Sequence, residues 1–183
     1  MIVLTGKSGS GKDTIKKELV KNYGYKNIVT YTSRPKRRGE KDGVDYHFIS
    51  EEEFKEKIEE GFFAEYKEYP VQNGDVWYYG CSIKDIEDNI NNKSIIILTP
   101  QGVQDIIDNI GIKLKVFYLY SNRNTILKRL TNRGDEKEEI VRRMDKDNKD
   151  FAKWEMKVFK TIYNHDGYDI KNVAKKIVDY CEE

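Results

Sequence analysis

Short runs of apolar residues recur along the chain and alternate with longer segments in which apolar residues return every three or four positions. The runs occupy Ile2–Thr5, 94–99 and 114–120, and such runs are typical of strands buried in a parallel sheet. A further short strand is expected at 27–31. Strands that alternate with helices predict a parallel sheet covered on both faces, so the expected fold is one α/β domain with inserts.

The helices are indicated by the spacing of their apolar residues. In the first helix these recur about every four positions from Ile15 until Gly24 ends the segment. Ser50 is expected to cap a second helix, because Glu53 follows three residues later and completes a capping box. Further helices are expected at 101–110 and 122–131. The last helix carries one apolar face, formed by Ile170, Val173, Ala174, Ile177, Val178 and Cys181.

The middle of the chain reads differently. The pattern at 45–49 alternates like a strand, and extended segments at 62–69 and 77–80 flank a turn signal at 73–75, which predicts a small antiparallel insert. The segment 136–163 is highly charged and predicts a long helix, with a break near 147–150 left open. Three apolar residues late in that segment are expected to pack on the core: Trp154, Met156 and Phe159.

Charge and cysteine usage exclude several classes of protein. The 183 residues hold 33 lysines and arginines against 32 aspartates and glutamates, which argues against a surface built to bind nucleic acid. No apolar run is long enough to span a bilayer. Cys81 and Cys181 have no paired spacing and no His/Cys cluster beside them, which indicates a reducing compartment. Because an apolar strand begins at once, we expect no signal peptide and a cytoplasmic protein.

A glycine-rich loop joins the first strand to the first helix: Gly6-Lys7-Ser8-Gly9-Ser10-Gly11-Lys12. It matches the G-x-x-x-x-G-K core of a P-loop, and the strand before it and the helix after it are the context that this motif requires. Backbone N–H groups of such a loop converge on phosphate oxygens, and the lysine reaches the β- and γ-phosphates. We expect the phosphates of ATP to contact Gly6, Ser8, Gly9, Ser10, Gly11, Lys12, Asp13 and Thr14.

The residue after the lysine departs from the motif. Asp13 stands where a Ser or Thr hydroxyl usually binds Mg²⁺, and Thr14 follows it. The ion would be held by the Asp13 carboxylate, directly or through water, or by the Thr14 hydroxyl. The sequence leaves that choice open.

A second group of phosphate-binding side chains lies at 30–48. Arg34 and Arg37 are placed to contact one phosphate through paired N–H groups, and the Tyr46 hydroxyl adds a neutral donor. Composition alone favours a solvated basic loop for this segment.

The order of these residues resembles the guanylate kinase family. From Arg34 to Phe48 the chain reads Arg-x-x-Arg-x-Gly-Glu-x-x-Gly-x-Asp-Tyr-x-Phe, which is similar to the nucleoside-monophosphate site of that family. The likeness covers essentially the whole chain, in the family's order and spacing, at Phe63-Ala64-Glu65-Tyr66, Tyr78-Tyr79-Gly80, Gln101-Gly102-Val103, Arg129-Leu130-x-x-Arg133-Gly134 and Asn164-His165-Asp166.

The resemblance implies a kinase that transfers a phosphoryl group from ATP to GMP, and to dGMP, with Mg²⁺. It implies a P-loop NTPase three-layer fold with a core at 1–31, 94–131 and 160–183, a mixed α/β insert at 32–93 that binds the monophosphate, and a helical lid at about 132–159. The implied catalytic residues are Lys12 in the loop and Arg133 and Arg143 in the lid. The partners would be small-molecule nucleotides, with no nucleic acid and no membrane, and the protein would be a monomer or a homodimer.

The resemblance also implies the contacts of the acceptor nucleotide. Glu65 would accept hydrogen bonds from guanine N1–H and the 2-amino group, two donors that adenine lacks. Glu40 would brace the arginines. The remaining contacts would come from Arg34, Arg37, Tyr46 and Tyr79 at the phosphate and from Thr30 and Cys81 at the base.

Several positions depart from the family pattern. Cys81 replaces a Ser or Thr that faces the base, with Ser82 as the alternative donor, and Ile97 and Thr99 replace both carboxylates of an Asp-x-Asp sequence. Lys7 replaces a proline and adds a cation that could contact the ATP phosphates. These changes keep open a nucleoside or deoxynucleoside monophosphate kinase of altered base range, since the loop also resembles that of some phage deoxynucleotide kinases. A non-catalytic interaction domain of this family is disfavoured, because Lys12 is retained and the chain begins at its first strand.

Overall fold

The computed structural model describes residues 1–70, 74–152 and 158–183. Within them the chain forms nine strands and seven helices, in the order β1 (Ile2–Thr5), α1 (Lys12–Tyr23), β2 (Lys26–Asn27), β3 (Tyr31–Thr32), β4 (His47–Phe48), α2 (Glu51–Glu59), β5 (Phe63–Pro70), β6 (Val76–Ser82), α3 (Ile83–Asn89), β7 (Ser94–Ile97), α4 (Pro100–Ile110), β8 (Lys115–Tyr120), α5 (Arg123–Asn132), α6 (Lys137–Ala152), β9 (Lys160–Tyr163) and α7 (Ile170–Glu182).

A parallel five-stranded sheet forms the centre, in the order β2-β7-β1-β8-β9. Alternate residues of β1 face opposite sides of it. Ile2 and Leu4 pack with α1 and α7 in one apolar cluster, and Val3 packs with Val103 and Ile106 of α4 in another. The predicted α/β fold with helices on both faces is confirmed.

A second sheet has four strands, in the order β4-β3-β6-β5. β5 and β6 pair antiparallel, as predicted, and β3 pairs antiparallel with β6 and parallel with β4. Its own apolar cluster is centred on Phe54, Phe63 and Tyr78. The turn signal of this hairpin includes residue 73, which lies outside the described residues.

The helix ends follow the capping residues. The Ser50 hydroxyl accepts a hydrogen bond from the Glu53 N–H, and Gly24 ends α1 in the left-handed conformation at φ 71°. The apolar face predicted for α7 is buried, with Val173, Ala174, Ile177 and Val178 in the core. The cap at Ser50 and the helix end at Gly24 are confirmed, and so is the apolar face of α7, of which Ile170 and Cys181 are partly buried.

Three boundary predictions were wrong. The single strand expected at 27–31 is two strands, because the chain leaves the central sheet after β2 and enters the second sheet at β3. The strand expected at 45–49 is only His47–Phe48. Within the described part of the helix expected over 136–163, Lys137–Ala152 is helical without a break at 147–150, but Lys160–Tyr163 is an edge strand parallel to β8. Only Ile162 of that strand is buried, so its sequence shows little strand periodicity.

Three apolar residues between α6 and β9 were expected to pack on the core: Trp154, Met156 and Phe159. Trp154 and Met156 lie outside the described residues. The ring of Phe159 lies 5.5 Å from that of Phe117, edge to face, and remains 39% exposed.

Candidate active site

The glycine-rich loop turns sharply between β1 and α1. Gly11, the residue before α1, has a φ of 95° in the left-handed region, where residues with a side chain are strained. A Cβ atom there would also lie 2.5 Å from the Asn164 amide nitrogen. Both the backbone conformation and the close approach therefore require glycine at this position of the motif.

The backbone carbonyls of the loop are held from behind. The Asn164 side-chain amide donates to the Ser10 carbonyl at 2.8 Å, and the Arg129 guanidinium donates to the carbonyls of Gly9 and Ser10 at 3.3 Å each. These bonds fix the Gly9 and Ser10 carbonyls on the protein side of the loop and so hold its backbone in place. Arg129 and Asn164 lie in two of the sequence motifs quoted above, but their spacing gave no indication of this role.

Lys12 is the first residue of α1 and is half-buried. Its ammonium donates to the carbonyls of Gly6 at 2.7 Å and of Lys7 at 3.0 Å, so the side chain folds back over the loop. Burial lowers the pKa of Lys12 from its ordinary value, and the charges of Asp13 and Asp147 oppose that shift. Burial disfavours the charged form of Lys12, and a phosphate bound in the loop would stabilise that form by supplying a negative charge beside it.

The residues proposed for Mg²⁺ lie on the exposed first turn of α1. The Asp13 side chain is 78% exposed, and Thr14 beside it is exposed too. The charge of Asp13 acts on Lys12, on Arg133 and on Tyr46, so this carboxylate lies in the neighbourhood of both predicted groups of phosphate-binding residues. Mg²⁺ in kinases is held by one or two carboxylates, water and substrate phosphates, and the donor set at Asp13 fits that pattern.

Among the described residues there is no cluster of three or more His, Cys, Asp or Glu side chains that would hold a metal ion without a substrate. The positions of the missing aspartates are used structurally. Ile97 packs partly against the core cluster of α1 and α7, and the Thr99 hydroxyl accepts the Gly102 N–H at 3.1 Å as the N-cap of α4.

Four of the predicted acceptor residues meet at one place. The Arg34 guanidinium donates to the Glu40 carboxylate at 2.7 Å and lies 5.6 Å from the centre of the Tyr46 ring. Burial opposes the charge of Arg34, but hydrogen bonds with Glu40 and Tyr79 outweigh it and raise the pKa of Arg34. A guanidinium and two tyrosine hydroxyls are donor groups of the kind that hold an anion.

The neighbours of that cluster differ in their arrangement. Glu40 also accepts the backbone N–H of Arg37 at 2.7 Å, while the Arg37 side chain is exposed. Thr30 lies at the crossover between the two sheets, where its carbonyl accepts the His47 N–H at 2.9 Å. The structure therefore brings Arg34, Glu40, Tyr46 and Tyr79 together and leaves the Arg37 side chain facing solvent.

Glu65 is buried at 9% exposure on β5. Burial raises the pKa of Glu65 to about 7, with the charge of Asp105 adding to the shift and that of Lys67 opposing it. Its partner across the hairpin is Cys81, whose thiol has a pKa raised well above its ordinary value by burial and by the charge of Glu65. The hairpin thus places one buried carboxylate opposite one neutral thiol.

A β-bulge aims the Glu65 side chain. The register between β5 and β6 shifts between Phe63 and Glu65, so Ala64 is the extra residue, and bulges re-aim the side chains that follow them. The Asn109 side-chain amide of α4 donates to the Ala64 carbonyl at 2.8 Å. This bonds a carbonyl at the bulge and fixes the strand against α4.

The N-terminus of α4 faces the same carboxylate. A Cβ atom on Gly102 would lie 2.9 Å from Glu65 Oε2 and 3.3 Å from Thr99 Oγ1. Glycine at this position leaves room for the carboxylate. The alternative donor Ser82 is not free for a base, because its hydroxyl caps α3 and bonds to the Asp85 carboxylate at 2.6 Å.

The two predicted lid arginines meet at Asp135. Arg133 donates two hydrogen bonds to the Asp135 carboxylate, and the Arg143 guanidinium lies 3.8 Å from it. The charge of Arg133 also reaches Lys12, where it contributes to the lowered pKa. Glu139 accepts from Arg143 at 2.5 Å, and hydrogen bonds from Arg142 and then Arg143 lower the pKa of Glu139 to about 2. The arginines are therefore held by carboxylates at the edge of the loop.

Helix α6 also contacts the glycine-rich loop directly. The Lys7 ammonium donates to the Asn148 side-chain carbonyl at 2.6 Å, and the Ser8 N–H donates to the Asp147 carboxylate at 2.6 Å. Lys7 is thus bonded to α6, whereas the sequence suggested that its cation could contact ATP. Asp147 was not among the predicted site residues, because 139 positions separate it from Ser8.

None of the helices among the described residues is long and apolar enough to cross a membrane.

Comparisons with known proteins match this arrangement. The family model for guanylate kinase matches residues 1–183. The chain is 32% identical over 182 residues to the guanylate kinase of Prochlorococcus marinus subsp. pastoris, covering 97% of this chain and 96% of the relative. It is 30% identical over 184 residues to that of Fusobacterium nucleatum, covering 100% and 95%.

A relative from Sulfurimonas denitrificans, also a guanylate kinase, is 38% identical over 148 residues, which cover 78% of this chain and 69% of the relative. The fold is similar to the crystal structure of guanylate kinase from Anaplasma phagocytophilum, with a TM-score of 0.68 at 20% identity over 100% of this chain and 84% of the other. The family model matches along the whole chain and the relatives are nearly full length, so this chain belongs to the guanylate kinase family.

Proposed function

We propose that the protein transfers the terminal phosphoryl group of ATP to GMP, forming ADP and GDP, and that it also accepts dGMP. One observation carries the proposal: the chain holds both a glycine-rich loop over which Lys12 folds and a buried Arg34 that Glu40 braces beside Tyr46. Direct transfer between two bound nucleotides requires both a donor-phosphate loop and an acceptor-phosphate cluster.

The donor is held by the loop amides and by Lys12, which exchanges its bonds to the Gly6 and Lys7 carbonyls for bonds to phosphate. Arg133 and Arg143 neutralise charge on the transferring group from the lid side. Mg²⁺, held by Asp13 or Thr14 together with the phosphates, supplies further charge neutralisation when bound. Since the transfer is mainly positioning and charge neutralisation, no general base is invoked.

The acceptor phosphate is held by Arg34, which Glu40 braces, with hydroxyl donors from Tyr46 and Tyr79; Arg37 reaches the phosphate from its exposed position. Glu65 in its ionised form accepts hydrogen bonds from guanine N1–H and the 2-amino group, and Thr30 and Cys81 complete the base contacts. The chain divides accordingly into a core at 1–31, 94–131 and 160–183, an acceptor-binding insert at 32–93 and a lid at about 132–159. Lid closure excludes water, which would otherwise hydrolyse ATP.

A kinase of altered base range is the second candidate. It is favoured by one observation: Thr99 caps α4 and Ile97 packs partly against the core, so neither position supplies a carboxylate to the base. In either case we place the protein in the cytoplasm, in keeping with its free cysteines Cys81 and Cys181. We expect it to be a monomer or a homodimer.

A coupled ADP-release assay with ATP and Mg²⁺ tests both candidates when GMP, dGMP, AMP, dTMP and CMP are offered separately. Strong preference for GMP and dGMP supports the first, and preference for another base supports the second. Lys12→Ala should lower the turnover number by about 10³-fold or more with the fold intact, and Lys17→Ala, an exposed lysine of the same helix, is the matched control. Turnover unchanged in Lys12→Ala would contradict the mechanism.

A further inference from the structure

One turn of α6 lies across the glycine-rich loop. Its Asp147 carboxylate accepts the Ser8 N–H at 2.6 Å, and Asn148 accepts the Lys7 ammonium at 2.6 Å. The residue before Asp147 is Lys146, and its ammonium lies 3.9 Å from the centre of the Tyr69 ring on β5. A single turn therefore joins the loop to the second sheet.

The Asp147 contact has the chemistry of anion binding. A loop of this kind offers backbone N–H groups and a lysine to phosphate oxygens, and here a carboxylate oxygen takes one of those N–H groups. Asp147 is half-buried, and its charge partly opposes the lowering of the Lys12 pKa by burial. A carboxylate and a phosphate oxygen both accept charge-assisted hydrogen bonds from the same donors.

The same position is incompatible with a bound triphosphate. A carboxylate on the Ser8 N–H occupies an acceptor position of the loop, and its negative charge repels phosphates at short range. For the donor to bind fully, the Asp147 carboxylate must leave the loop. This requires either a shift of α6 or a rotation of the Asp147 side chain.

We propose that Asp147 occupies the phosphate loop when no donor is bound and competes with the ATP phosphates for it, so that Asp147 sets the affinity for the donor. This inference rests on the proposed function, because it takes the loop to be the ATP site. In this proposal, Asp147 of the lid helix opposes binding of the donor, and the bound donor displaces its carboxylate from the loop. The arrival of ATP then frees the turn at 146–148 from the loop.

The size of the effect follows from population arithmetic. An apparent dissociation constant is the intrinsic one divided by the fraction of molecules whose site is free. If a charge-assisted hydrogen bond keeps about nine molecules in ten closed, its removal tightens phosphate binding about tenfold.

The test is isothermal titration of inorganic tripolyphosphate into the whole protein in metal-free buffer, which removes any contribution of Asp147 to holding Mg²⁺. We expect Asp147→Ala to bind tripolyphosphate about tenfold more tightly than the wild type. Asp147→Asn keeps an acceptor oxygen but loses the charge, so its affinity should lie between the two. Asp145→Ala removes the same charge from an exposed position of the same helix and should match the wild type.

The outcomes separate this inference from the proposed function. If the wild type binds tripolyphosphate and Asp147→Ala binds it no more tightly than Asp145→Ala does, competition by Asp147 is refuted while the ATP site stands. Weaker binding by Asp147→Ala refutes it as well, since the carboxylate would then assist the phosphate. If neither the wild type nor Asp147→Ala binds tripolyphosphate, the loop is not a phosphate site and both proposals fail.

Discussion

Replacing Glu65 by Gln should stabilise the protein relative to the wild type by an amount that grows with pH. The pKa of Glu65 is raised by burial from its ordinary value of 4.5 to about 7. Between those values the folded state binds more protons than the unfolded state, so the free energy of unfolding falls as pH rises. Gln has the shape of the protonated acid but does not titrate, and its variant lacks this decline.

The magnitude follows from the two pKa values. Ionisation of Glu65 costs the folded state little at pH 5 and nearly the full shift at pH 8, and the difference between these conditions is about 2.5 kcal/mol. For a chain of this length the difference corresponds to about 5–10 °C in melting temperature. Any constant effect of the amide on packing cancels, because only the change with pH is compared.

Urea denaturation at pH 5, 6, 7 and 8 measures this directly for the wild type and Glu65→Gln. Glu68→Gln, which makes the same change at an exposed position of β5, is the control and should follow the wild-type pH profile. Parallel profiles for the wild type and Glu65→Gln would show that the carboxylate is not desolvated and would refute the reasoning.

Three further changes test the surroundings of Glu65, the N-cap of α4 and the Arg34–Glu40 pair. Gly102→Ala puts a methyl group 2.9 Å from Glu65 Oε2, so the KM for GMP should rise about tenfold or more while the KM for ATP stays within about twofold; steady-state kinetics in which both rise equally would contradict this. Thr99→Ala removes the N-cap of α4 and should lower the free energy of unfolding by about 1 kcal/mol in urea denaturation, with Thr99→Ser as the control that keeps the hydroxyl. Glu40→Ala leaves Arg34 without its carboxylate and should weaken binding of GMP more than binding of guanosine, measured side by side by calorimetry; an equal loss for both ligands would argue against a phosphate role.

The parts of this fold that the sequence predicted are those set by local chemistry. Ser50 and Gly24 define helix ends through bonds that span a few residues, and the glycine-rich loop is specified by contiguous residues between a strand and a helix. The edge strand β9 was mistaken for helix, because only Ile162 faces the core and its neighbours are polar or exposed. Long-range pairing with β8 determined its conformation, and no local pattern reports such pairing.

The candidate site divides in the same way. Residues such as Arg34 and Glu40 lie within one short segment, so their contact was foreseeable from the motif. The contact of Asp147 with Ser8 joins residues 139 positions apart and depends on the angle at which α6 crosses the loop. The support that Arg129 and Asn164 give the loop from behind is also a property of the assembled fold.

The bulge at Ala64 gives β5 a third direction in which to place a side chain. Phe63 stacks on Phe54 at 4.3 Å, Ala64 packs in the cluster of the central sheet, and Glu65 faces α4. A regular strand has two faces, and a residue that reads a ligand must share one of them with the core. The bulge therefore makes the direction of the Glu65 side chain independent of the alternation that carries Phe63 and Ala64 into the two apolar clusters. A deletion of one residue at the bulge would remove that independence.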